Sequence, residues 1–128
     1  MTQIPTDQEI NRALAELMGY SLHKTAGNYY VVEDKGGSPA TYYYGTADIA
    51  WSKAPDYCNN PAASLEVQAA AIAKDAELYV TRLFEVVRGE LSALYTDLEA
   101  ADMLTATPRE RAMAAWMTLK TDTASGSA

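Results

Sequence analysis

With 128 residues, 48% of them apolar and 21% charged, the chain has the size of one domain and a composition that folds rather than stays disordered. Its formal charge of −7 sets it against phosphate backbones and anionic headgroups, whose binding needs Lys and Arg to replace counterions, so neither nucleic acid nor a membrane surface is an expected partner. A single cysteine, Cys58, and a single histidine, His23, leave no intramolecular disulfide and no thiolate zinc site, and no metal or other cofactor is expected.

The N-terminal residues carry no basic stretch followed by an apolar run, and no segment holds the roughly 20 apolar residues that span a bilayer, so a cytoplasmic protein is expected. The acidity is uneven: between Asp75 and Asp102 seven acids face only Arg82 and Arg88.

Taken in chain order, Thr6-Asp7-Gln8-Glu9 has the form of a capping box, and Ile10, Ala13, Leu14, Leu17 and Met18 recur at three- and four-residue steps. The pattern predicts a helix over 7–18 that ends at Gly19. Aromatic and β-branched residues separated by Gly27-Asn28 and Gly36-Gly37 then predict an antiparallel meander with strands near 20–25, 29–34 and 41–45. Residues 46–60 read as an ordered loop anchored by Ile49, Trp51 and Tyr57, with a short strand or turn around Ile49–Trp51 as the alternative.

Asn60 before Pro61 opens the next helix. Apolar positions from Leu65 to Ala101 follow at steps of three or four, which predicts either two helices, 62–88 and 90–102 with a break at Gly89, or one long bent helix. The Val, Tyr, Phe and Thr content of 78–87 leaves a strand there as an alternative. Thr107-Pro108-Arg109-Glu110 repeats the capping box and predicts a helix over 108–120, and the tail 121–128 lacks large apolar residues. The expected fold class is α+β: a short antiparallel meander packed with helices in helix–sheet–helix layers, a helix-rich C-terminal half, and one domain over 1–120.

Chemistry-bearing constellations are sparse. A nucleophilic site needs Cys58 beside His23, oriented by Asp48 or Asp56, and such a small cysteine-dependent enzyme is the alternative to a binding role. Arg109 and Arg111, at the start of the last helix, form a weak anion site. The densest cluster is aromatic, and Tyr42, Tyr44, Trp51, Asp56 and Tyr57 form a candidate ligand-binding surface, with Tyr42 and Tyr44 on one strand face. Leu83, Val87, Leu91, Leu94 and Leu98 carry the spacing that seams two helices, either within the chain or in a homodimer.

The layout resembles the phage ABA sandwich family, small domains of phage and prophage origin. The residues that carry the likeness are 10–16 with Gly19-Tyr20, Pro55-Asp56-Tyr57-Cys58 before Pro61, and 106–112 before Ala114-Ala115-Trp116. The resemblance implies a phage origin and layered helices and sheet, and it brings no catalytic residues. The reading from sequence is therefore a phage-encoded, non-enzymatic binding or accessory protein in the host cytoplasm, sequestering a small nucleotide-like ligand or binding a host protein, with a structural or oligomerisation module as a further alternative.

Overall fold

The computed structural model describes residues 5–88, 101 and 103–121. Within them the chain forms an α+β fold in the order α1 (Asp7–Leu17), β1 (Ser21–Lys24), β2 (Tyr30–Glu33), α2 (Ala47–Ser52), α3 (Pro61–Arg88) and α4 (Pro108–Leu119). The expected second segment 90–102 lies outside the described residues save Ala101, and so do Gly89, Leu91, Leu94, Leu98 and the tail beyond 121.

Local cap chemistry sets the helix starts. Thr6 Oγ1 accepts from Glu9 N while the Glu9 carboxylate accepts from Thr6 N, and Thr107 and Glu110 repeat the exchange at α4. The Thr6 backbone N–H also holds the Glu9 carboxyl below its ordinary pKa. Asn60 Oδ1 caps α3 through Ala63 N, and Gly19, at φ +102, turns the chain out of α1.

The sheet is smaller than the expected meander. β1 and β2 pair antiparallel with Ser21 opposite Glu33 and Lys24 opposite Tyr30. The third segment is not a strand: it forms isolated bridges to β2 at Pro39, opposite Glu33, and at Tyr44, opposite Tyr30, with Ala40 N donating to the Val32 carbonyl between them. Those two bridges enclose four residues on the outer segment and two on β2, so residues 40–43 bulge outward. Thr41 causes the replacement, because its Oγ1 accepts from Val32 N at 3.1 Å and itself donates to the Tyr42 carbonyl.

The segment 46–60 contains a helix rather than a long loop. Thr46 Oγ1 accepts from Ile49 N, and α2 buries Ala50 and Trp51 against both strands while Ile49 stays exposed. Trp51 packs under the Arg12 guanidinium, 5.1 Å from its ring centre.

Among the described elements, α3 and α4 make the most extensive packing. Their contact is built from small residues, Ser64 and Ala71 on α3 and Ala112, Ala115 and Thr118 on α4, which let the backbones approach closely. The buried hydroxyls are bonded within their own helices, Ser64 to Pro61 O and Thr118 to Ala114 O.

A straight helix of 28 residues would run about 42 Å, longer than a compact chain of this size is wide (roughly 36 Å). α3 resolves the excess by breaking at Asp75, which is extended at φ −161 and ψ 91. The break lies fourteen residues before Gly89, within the segment expected to be continuous, and 78–87 is helix rather than strand. Asp75 then acts as a new cap: its Oδ1 accepts from Leu78 N at 3.1 Å. Next to it, Lys74 Nζ donates to the carbonyls of Leu119 and Thr121, satisfying acceptors left open at the end of α4.

Asp75→Ala removes that cap and is expected to lower stability by about 1 kcal/mol, the usual value of an N-cap side chain. Urea unfolding followed by circular dichroism measures it, with Asp75→Asn expected to retain most of the stability.

Candidate functional site

The break in α3 opens a groove. Gln68 and Tyr79 are eleven residues apart, about 16 Å along a straight helix, yet Tyr79 O–H donates to Gln68 Oε1 at 2.8 Å. The bend folds the two halves of α3 around a cavity of about 510 Å³. Its walls are Leu65, Ile72, Val80, Leu83, Met103 and Leu104, and its polar lining is Gln68, Tyr79 and Arg111. An apolar concavity of this size with a few converging polar groups is the usual form of a small-molecule site.

The helical faces explain why the groove is open. Ser64, Val67 and Ala71 point into the core, whereas Leu65, Gln68 and Ile72 lie on the adjacent face. Leu65, Ile72 and Val80 remain exposed, and Leu104 is 85% exposed. Of the seam expected at Leu83, Val87, Leu91, Leu94 and Leu98, Leu83 is buried in the core and also walls the groove, and Val87 packs at the core's edge, while Leu65, Ile72 and Val80 of the same apolar run line the groove.

Tyr79 is buried and its phenol is pushed up to about 12, by desolvation above all and against the downward pull of the Arg111 guanidinium. It is therefore a neutral hydroxyl near pH 7. Arg111 donates through Nε to Ser64 Oγ at 3.0 Å and through Nη1 to the Ala106 carbonyl, fixing it where α4 meets α3.

The aromatic surface expected from sequence does not form as one patch. Trp51 and Tyr57 belong to the core, and burial raises the Tyr57 phenol. Tyr44 is half-buried, while Tyr42 is 82% exposed on the bulge beside Tyr43, so the strand alternation that would pair Tyr42 with Tyr44 is broken. Asp56 holds Asn11 and Asn59 through its carboxylate. The tyrosines of the bulge border an open recess with Lys53, away from the residues of the groove.

Arg109 and Arg111 do not converge on an anion site. Arg109 pairs with Asp7 at 2.7 Å and with the Pro5 carbonyl, while Arg111 points to Ser64 and Ala106, and Glu110 occupies the cap.

His23 and Cys58 also belong to separate networks. His23 Nε2 lies 3.1 Å from Ser21 Oγ and from Glu33 Oε1 at an exposed position on the sheet. Cys58 is buried, with its Sγ toward the Asp7 carbonyl and its N–H donating to Asn11 Oδ1. Desolvation and the nearby Asp7 carboxylate raise its thiol to about 12, the opposite of what a nucleophile requires. Asp48 is exposed at the start of α2 and bonds to neither.

Comparison with protein-family models, with curated proteins and with solved structures finds no match to this chain. The groove rests on its own geometry. Gln68 and Tyr79 carried no signal in the sequence, since only the break at Asp75 brings them together.

A thiol whose folded pKa is raised favours the folded state below its ordinary value, and that contribution disappears as pH climbs toward about 12. Cys58 should therefore react with a disulfide reagent at pH 8 at least a hundredfold more slowly than free cysteine, and at the full rate in urea. Fast labelling of the folded protein would restore the cysteine as a chemical group.

Proposed function

We propose that the chain is a non-enzymatic binding protein whose working surface is the groove at the α3 break, and that its ligand is a small molecule with an apolar body. The observation that carries this is the concavity itself: among the described residues, six apolar side chains around three polar groups, with Leu65, Ile72, Val80 and Leu104 left in contact with water. A nucleotide-like ligand has less support, because its phosphates would find a single guanidinium there among the described residues. The phage origin and the host cytoplasm belong to the same proposal and rest on the resemblance of the three short motifs; among the described residues no helix is long and apolar enough to cross a membrane.

The bulge tyrosines offer exposed area without an enclosing wall, and the buried thiol supplies no nucleophile. Sequestration without turnover is the role that fits a groove so furnished.

A neutral solvatochromic dye such as Nile red should bind with a blue-shifted emission. Ile72→Asp and Val80→Asp, at positions 44% and 38% exposed, should weaken it at least tenfold while leaving the fold intact, because neither side chain is in the core. Tyr42→Ala should leave binding unchanged. Dye binding that survives both aspartates, or that is lost with Tyr42, would move the site away from the groove.

A further inference from the structure

Resting on the groove as the working surface, we infer that its ligand is a small alkyl monocarboxylate, with the chain along Leu65, Ile72 and Val80 and the carboxylate against Arg111 and Gln68. The first ground is an uncompensated charge. Arg12, Arg82 and Arg109 each sit on a carboxylate, Glu16, Glu85 and Asp7 in turn. Arg111 is half-buried, yet its bonds go to a hydroxyl and a backbone carbonyl, both neutral, and among the described residues no acid pairs with it. A partly desolvated guanidinium without a counterion gains from an anion that brings one.

The second ground is the supply of donors. Nε and Nη1 of Arg111 are taken, which leaves Nη2 without a partner among the described residues. Gln68 Oε1 accepts from Tyr79, which leaves the carboxamide NH2 as a second donor open among the described residues on the same lining. Two donors of this kind suit a head group that only accepts, and the Tyr79 hydroxyl, kept neutral, adds no repelling charge.

The third ground limits the head to one negative charge. Among the described residues Arg111 is the single cation on the groove, and the chain as a whole is acidic at −7, so a dianionic phosphate would be repelled by more charge than it could neutralise. The apolar walls on the other side require a chain rather than a compact polar acid.

The test is displacement of Nile red from the full chain by decanoate and by decanol, which share a chain and differ in the head. Wild type should bind decanoate at least tenfold more tightly than decanol, and Arg111→Gln, which keeps a donor for Ser64 or Ala106, should make the two equal without weakening decanol. Equal displacement by both in wild type would overturn the carboxylate while leaving the groove in place, as would a preference that persists in Arg111→Gln. Displacement by neither would remove the groove reading and this one with it. The wild-type comparison needs no variant, so it decides even where Arg111→Gln does not fold.

Discussion

The bond from Tyr79 to Gln68 can exist only because α3 is broken between them. Everything that distinguishes the C-terminal half depends on that break. Asp75 leaves the helix, its carboxylate caps the next turn, and the second half of the helix returns at a new angle over the first. Lys74, one residue earlier, ties the same point to the end of α4, so the bend is fastened to the helix it packs against. An Asp at a helix interior costs a few tenths of a kcal/mol, whereas as a cap it contributes about 1, which is why the chain breaks there rather than at a neighbouring alanine.

The rest of the molecule holds α4 in register with that bend. Asp7 in the first turn of α1 meets Arg109 in the first turn of α4, and Arg111 bonds α4 to Ser64 near the start of α3. The Asp7–Arg109 pair is about two-fifths exposed, so water and salt reduce it to roughly 1 kcal/mol or less. It orients the helices more than it stabilises them. The larger stabilisation comes from close packing of Ala71 with the α4 alanines and from the large side chains Ile10, Leu14, Val67 and Tyr57.

Those features differ in how far they could be read from residues alone. Helix starts were legible at Thr6, Asn60 and Thr107, because a cap is decided by residues within four positions of one another. The third strand was not, since Thr41 replaces a ladder bond with its hydroxyl and a period-two pattern cannot register two extra residues. Trp51 looked like a loop anchor because α2 is only six residues long. The groove was half legible: the spacing of Leu65, Ile72 and Val80 marked an apolar face, but whether a face is covered depends on tertiary packing, and Gln68 and Tyr79 become neighbours only through the bend.

Backbone and side-chain NMR across 61–88 is the most direct measurement of that bend. Helical Cα shifts over 61–74 and 76–88, an extended value at Asp75, and cross-relaxation between the Tyr79 ring and the Gln68 side chain are the result this account predicts. Unbroken helical shifts through Asp75 with no contact between Gln68 and Tyr79 would contradict it.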